Sequence, residues 1–300
     1  MLLDTASLYF RAFYGVPDTM RAPDRTPINA VRGLLDFIAR LVNQHRPVAL
    51  VACLDADWRP QFRVDALPSY KAHRVGVAGA GEDDSPPDLA VQVPIIMAVL
   101  EALGVTAVGV PGYEADDVIG TLAARATTPV DVVTSDRDLF QVIDDDRGVR
   151  VLYTARGIGN LQYVDAAVVR EKYGVEPALY AALATLRGDP SDGLPGVPGI
   201  GEKTGATLLK AYGDLAGVRA AAADMRAHLT PGQRKNLRAA SAYLDVAPGV
   251  VNVVTDLDIP ADLQTALPTA PADDSALQAL DERWGLSSSL ARAREALYGG

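Results

Sequence analysis

Three stretches of this chain are apolar almost without interruption and then stop at an aspartate. They are "MLLD" at residues 1–4, "VALVACLD" at 48–55 and "VDVVTSD" at 130–136, short continuous runs of the kind that strands buried on both faces show. Between them lie segments whose apolar positions recur every three or four residues, "INAVRGLLDFIARLVNQ" (28–44) and "DLAVQVPIIMAVLEALG" (88–104), the spacing of an amphipathic helix. Strands alternating with helices predict an α/β fold with a mostly parallel central sheet flanked by helices, whose ligands bind beyond the carboxyl ends of the strands. Each apolar run carries its acid to that edge: Asp4, Asp55 and Asp136. A shorter run, "TAVGVPGYEADD" (106–117), brings Glu114, Asp116 and Asp117 there as well.

From about residue 160 the pattern turns helical, with "YVDAAVVREKYG", "PALYAALATLRG" and "EKTGATLLKAYG", followed by Ala-rich segments. The tail beyond 245 predicts an irregular connection and a last helix around "ALQALDERWG". Between Asp55 and the second helix stands an insertion that is first basic and aromatic, then glycine-rich, then acidic with two prolines. Such a composition predicts a loop that carries function rather than core.

Composition adjusts this picture at three points. With 300 residues, 49% of them apolar, the chain can bury a large core. No run is long and apolar enough to span a bilayer and no secretory start is visible, so a cytoplasmic protein is expected. The single cysteine, Cys53 in "VALVACLDA", excludes an internal disulfide and suits a small buried core residue. The net charge of −10 argues against a polyanionic partner only if it is spread evenly. Setting aside nine clustered carboxylates leaves −1 on the rest, and a local basic patch becomes possible.

Those nine acids come from five segments. One acid at a helix start faces the positive end of the backbone dipole, but three in "GYEADD" exceed that need. Two unit charges about 4 Å apart repel by roughly 4 kcal/mol at an effective dielectric near 20, so a tight cluster calls for a cation or for protons. "TSDRDLFQ" adds Asp136 and Asp138, two apart, expected to leave an extended segment on one side. "RGDPSDGLPG" adds Asp189 and Asp192, three apart, on one face of a turn or helix end. With Asp4 and Asp55 this is an oxygen-only set without His or Cys, suited to Mg2+ or Mn2+ and unsuited to zinc. Two such ions, or three, fit displacement at phosphorus. Any one of these acids alone is more often a helix cap; three groups at element ends together favour a metal site.

Next to the last pair, "LPGVPGIGEKTGATLLKAYG" places glycines at 196, 199 and 201 before a helix starting near Glu202. This is the pattern of a helix-hairpin-helix. Gly199 and Gly201 allow backbone to approach a phosphate, while Lys203 and Thr204 add donors at the helix start. A plain interhelical loop is the bland alternative, and the nearby Asp192 weighs against it.

With these motifs assembled, "GYEADD", "TSDRDLFQ" and "GDPSDGLPGVPGIGEKTG", the chain resembles the 5'-nuclease family: the amino-terminal exonuclease domain of bacterial DNA polymerase I, phage 5'-exonucleases and flap endonucleases. The match runs from Asp4 to at least Tyr212. The resemblance implies a PIN-like core with a helical arch insertion at about 59–92, within a metal-nuclease region 1–185, and a hairpin region with C-terminal helices at 186–300. It implies a metal-dependent nuclease, a 5' flap endonuclease and 5'-3' exonuclease on DNA, acting in primer removal and repair. Its partner would be DNA with a 5' flap or a 5' end at a duplex junction, with RNA primer strands a further candidate, and the protein would act as a monomer. Asp55, Glu114, Asp116 and Asp117 then form a first metal group, with Asp4 reaching it through water. Asp136, Asp138, Asp189 and Asp192 form the second. Lys71 and Arg74, in "SYKAHR", are the catalytic basic residues at the foot of the arch, Tyr70 stacks on a base, and Arg11 and Arg63 contact phosphates. A monovalent cation such as K+ at the hairpin belongs to the same implication.

The chain departs from the family pattern at Thr5, where glycine is usual, and at Gly193, where asparagine is usual. Only three residues precede Asp4, short for a first strand, which suggests a start further upstream. The glycine-rich "VGVAGAGEDDSPP" (75–87) suggests an arch that orders only on DNA. Two rivals stand beside this reading. A PIN-type ribonuclease would lack the hairpin, and a junction-binding module with a lapsed site would not keep all nine acids.

Overall fold

The computed structural model of the protein describes residues 1–75 and 86–299. Six strands make one sheet: β1 (Leu2–Asp4), β2 (Val51–Cys53), β3 (Thr106–Val108), β4 (Val130–Thr134), β5 (Val149–Tyr153) and β6 (Gln162–Val164), in the order β3-β2-β1-β4-β5-β6. Neighbours run parallel except β6, which returns antiparallel along β5. The strand order reverses between β1 and β4, and at such a switch point the loops leaving the two strands part and open a crevice. The strand ends at this crevice are Asp4 and Thr134.

Strand side chains alternate between two faces. Leu2, Val51, Val132 and Val151 enter one half of the core, while Leu3, Ala52, Val133 and Leu152 enter the other. Helices α1 (Thr5–Gly15) and α2 (Asn29–His45) follow β1; α3 (Gln61–Ala66), α4 (Pro87–Ala90) and α5 (Val93–Leu103) follow β2; α6 (Ala115–Arg125) follows β3. After the sheet come α7 (Ala166–Tyr173) and α8 (Tyr180–Arg187), then α9 (Glu202–Tyr212), α10 (Leu215–Ala223), α11 (Pro231–Ala239) and α12 (Ser241–Val251), and finally α13 (Asp274–Trp284) and α14 (Ser287–Tyr298). The first half of the core packs α6, α7, α8 and α9 against the sheet, and the second packs α2, α5, α13 and α14.

The expected α/β architecture is present, and Cys53 is fully buried in it. Three features differ from the expectation. Strands β5 and β6 were not anticipated: "VRVLY" carries Arg150 at its second position, which pairs with Asp131 of the neighbouring β4 at 2.6 Å. Thr5 needs no left-handed backbone, because it opens α1 directly with Asp4 as its cap. The tail holds two helices rather than one, and α13 packs on α5 while α14 packs on α2, in the second half of the core. Of the arch, α3, a short turn at Ala72–Arg74 and α4 are described; the expectation that glycine-rich 75–87 orders on DNA falls largely on residues 76–85, outside the described residues. Among the described residues no helix is long and apolar enough to cross a membrane.

Candidate metal centre

The crevice between β1 and β4 opens into a cleft of about 1190 Å3. Asp4, Asp55, Glu114, Asp116, Asp136, Asp138 and Asp189 all line it. Asp192 lines a small adjoining cavity together with Glu114, Asp116 and Asp138. Eight of the nine anticipated carboxylates thus border the cleft or the cavity beside it, although they lie as far apart in sequence as Asp4 and Asp192.

Local hydrogen bonds aim four of them. Asp4 caps α1 by accepting from the Ser7 N–H at 3.1 Å and takes the Thr134 hydroxyl at 2.6 Å, which pins the tips of β1 and β4 together. The Ser7 and Ser135 hydroxyls, 2.6 Å apart, add a second tie. Asp55 accepts the N–H of Ala115, the first residue of α6, at 2.8 Å. Asp136 accepts the Asp138 N–H at 2.8 Å. That local turn starts a 3-10 segment at Asp138, so the pair is presented from a turn and not from the extended geometry expected. Asp189 sits at a tight turn, paired with Leu194 through both backbone groups and accepting from Ser191 at 2.9 Å.

The three acids of "GYEADD" divide the work among them. Asp116 faces the cleft. Glu114 caps α6 in a reciprocal capping box with Asp117 and receives Lys71, Arg63 and the Tyr70 hydroxyl. Asp117 corrects the expectation: it is fully buried and borders neither cavity. Its oxygens take Arg63 at 2.7 and 2.8 Å and the Val254 N–H at 2.9 Å. A carboxylate so occupied by a guanidinium fork is a structural anion, not an ion ligand.

Arg63 and Tyr70 also depart from the expectation: they border only the small adjoining cavity, and their polar groups are taken up by acids. Arg63 is 2% exposed and also donates to the Val250 carbonyl at 2.9 Å, so it cannot reach a phosphate in the cleft. Tyr70 is 4% exposed, with its hydroxyl on Glu114 at 2.7 Å, so no ring face is offered to a base. Lys71 and Arg74 do line the cleft. Lys71 ion-pairs with Glu114, whose charge, against the cost of burial, holds the ammonium well above its usual pKa. Arg74 reaches Asp192 at 2.9 Å and the Ser191 carbonyl at 2.7 Å. The foot of the arch is therefore fastened to the turn that carries the last two acids. Gly193 makes this possible: its φ is +72°, and a Cβ there would lie 2.0 Å from the Ser69 carbonyl oxygen.

Charge crowding shows in the acids themselves. Burial, with the charge of Asp55 adding to it, pushes the Asp4 carboxyl up to about 7. Asp116 and Asp138 are driven well above the usual range by burial first and by Asp136 next, and Asp192 is raised by burial. These groups resist carrying charge unless a cation shares the site. The donor set is all oxygen, which fits a hard divalent ion. Among the described residues no three of these side chains close on a common point by themselves.

The duplex-binding candidates lie beside the acids. Gly201 caps α9, which begins at Glu202, and Gly199, Gly201 and Lys203 are exposed, with Thr204 half-buried. Arg11 stands on the cleft wall, its Nε buried and without a hydrogen-bond partner among the described residues. The sequence reading missed Phe10, Tyr14, Trp58 and Arg137, which also line the cleft. A signal for two of them was present: Tyr14 follows Arg11 by three residues and Trp58 follows Asp55 by three.

Comparison with known proteins agrees with this geometry. The pattern of the 5'-3' exonuclease N-terminal, resolvase-like domain matches residues 1–174, and that of the 5'-3' exonuclease C-terminal SAM fold matches residues 175–275. A 5'-3' exonuclease of Streptomyces coelicolor is 65% identical over 295 residues, covering 97% of this chain and 98% of its own. DNA polymerase I of Mycobacterium bovis is 42% identical over 219 residues, covering 72% of this chain and 23% of the polymerase. A crystal structure of the bacteriophage T5 flap endonuclease, in a pseudo-enzyme-product complex with DNA and metal ions, shares the fold at a TM-score of 0.65 with 18% identity, covering 85% of this chain and 89% of that one. By its motifs, its fold and these matches over nearly its whole length, the chain belongs to the 5'-3' exonuclease family.

Proposed function

We propose that this protein is a divalent-metal-dependent 5'-nuclease that hydrolyses DNA phosphodiesters as a flap endonuclease and 5'-3' exonuclease, serving primer removal and repair. The observation that carries the reading is the convergence of seven carboxylates on one cleft and of an eighth, Asp192, on the small cavity beside it, from segments spread between residues 4 and 192 and next to a helix-hairpin-helix. Asp55, Glu114 and Asp116 would hold one Mg2+ or Mn2+ and Asp136, Asp138, Asp189 and Asp192 a second, with Asp4 acting from behind. Such ions activate water and offset charge on a phosphodiester at neutral pH.

The chain's own residues supply position. The N-terminus of α9, with Lys203 and Thr204, would grip duplex backbone without reading bases. Because Asp189 and Asp192 lie on the turn leading into that hairpin, gripping the duplex fixes the distance from the junction at which the strand meets the acids. Lys71 and Arg74, at the cleft wall, would neutralise charge growing on the attacked phosphate. Both are paired with acids here, so they would exchange a carboxylate for a phosphate when substrate enters. Arg11 would hold a phosphate further along the strand. The solved T5 enzyme carries DNA and metal ions, which supports the same partners here.

A labelled DNA duplex with a 5' flap, incubated with Mg2+ or with chelator and resolved by product size, tests the proposal. Metal-dependent products ending near the junction and bearing 5'-phosphates are expected; equal cutting with chelator, or a preference for single-stranded RNA, would overturn it.

A further inference from the structure

The mechanism above leaves one buried cation of the site unused. Arg187, the last residue of α8, has a side chain 15% exposed and reaches in two directions. One arm, Nη2, lies 3.5 Å from Asp189 Oδ2, and the other, Nη1, lies 3.2 Å from Glu202 Oε2 in the first turn of α9. Nε donates to the Gly188 carbonyl at 3.2 Å, which fixes the plane of the fork between the two acids. Its charge also acts on Asp138. Lys71 and Arg74 pair with acids from the insertion that follows β2; Arg187 does so from the end of α8.

We propose that Arg187 is a positioning residue that sets the orientation of Asp189 and neutralises Glu202, coupling the second carboxylate group to the helix that grips the duplex. This inference rests on the nuclease reading above. Two electrostatic consequences follow from the geometry. A fixed positive charge beside Asp189 and Asp138 competes with an incoming divalent ion, so it holds ion affinity down while keeping the carboxylate aligned. Glu202 sits where α9 would receive a phosphate, and an uncompensated carboxylate there repels it; Arg187 cancels that repulsion. Lysine cannot replace both functions, because a single ammonium lacks the fork that spans two acids.

The test combines Mn2+ titration of the metal-free protein, followed by calorimetry, with flap-cleavage kinetics. Arg187→Met keeps bulk and removes charge. We expect it to bind Mn2+ about threefold to tenfold more tightly than wild type, while kcat falls and KM for the flap substrate rises. Adding Glu202→Gln to Arg187→Met should return KM toward wild type and leave kcat low. Arg187→Lys should return Mn2+ affinity toward wild type without restoring kcat. A role in folding alone would lower the melting temperature without tightening Mn2+ binding. Equal or weaker Mn2+ affinity in Arg187→Met would overturn the proposal, as would a KM that Glu202→Gln does not move. No Mn2+ binding by wild type would overturn the nuclease reading and this inference with it.

Discussion

Among the nine acids, burial and partners separate those built for the fold from those built for an ion. Asp117 and Asp138 make the contrast testable. Asp138 borders both cavities and has Asp136, Asp189 and Asp192 as charged neighbours. Asp138→Asn removes a charge from the site while keeping its shape, so we predict loss of cleavage with flap binding and melting temperature nearly unchanged. Retained cleavage would remove Asp138 from the metal centre. Asp117→Asn strands the buried Arg63 guanidinium without its bidentate partner. Breaking a buried pair from one side costs about 3–5 kcal/mol, so here thermal unfolding should fall by several degrees while metal affinity, measured on the protein that remains folded, changes little. From sequence the two acids are indistinguishable, because what buries Asp117 is Arg63, more than fifty residues upstream, and the Val250–Val254 segment far downstream. The same distance hides Tyr70, which looks like a stacking residue until its hydroxyl is seen on Glu114.

At the scale of elements, the turn from Asp189 to Gly193 ties the arch to the hairpin, and two glycines test that role from opposite sides. Gly193 is left-handed and pressed against the Ser69 carbonyl. Gly193→Ala should cost about 1–3 kcal/mol through strain and overpacking, lower the melting temperature and loosen Lys71 and Arg74 from the acids. Gly201 has φ of −88° with open space around its Cα. Gly201→Ala should stay within about 1 kcal/mol in stability but weaken duplex binding, since a methyl would stand where a phosphate approaches; a filter-binding comparison of the two variants checks both outcomes.

Elements of this kind were legible where pattern and chemistry coincide. Strands β1, β2 and β4 announce themselves as apolar runs ending at the acids, and α9 begins at Glu202, where the glycines stop. Strand β5 was hidden because its outward Arg150 breaks the apolar run, and that arginine is tolerated only because Asp131 lies beside it on β4. Helix α14 was hidden because "SSSLARAREALY" is weakly apolar alone; α2 and α5 supply the surface that makes it a core element.

Over the whole molecule, the metal centre should be visible in stability as well as in catalysis. The Asp4 carboxyl lies at about 7 in the folded protein against 3.8 unfolded, so between those values the folded state binds the extra proton. Its contribution therefore falls as pH rises from about 4 to 7. Asp116, Asp138 and Asp192, also raised, act in the same direction. His45, lowered from 6.5 by burial, acts in the opposite direction: it loses stability as pH falls through that value. Four carboxylates against one imidazole and the buried amino terminus, which is also lowered, predict a metal-free protein that melts higher at pH 5.5 than at 7.5, a trend that saturating divalent ion should flatten or reverse, because the ion requires the charged carboxylates. Differential scanning fluorimetry across that range with and without Mn2+ reads this slope.

The most direct measurement of the central claim, that acids from remote segments form a pocket which a divalent cation completes, is the melting temperature of the metal-free protein at pH 7.5 as Mg2+ or Mn2+ is added. An ion present at about a hundred times its dissociation constant stabilises the fold by about 2.7 kcal/mol, so a saturable rise of several degrees is predicted, absent or much reduced in Asp138→Asn. An unchanged melting curve at millimolar metal would contradict the account.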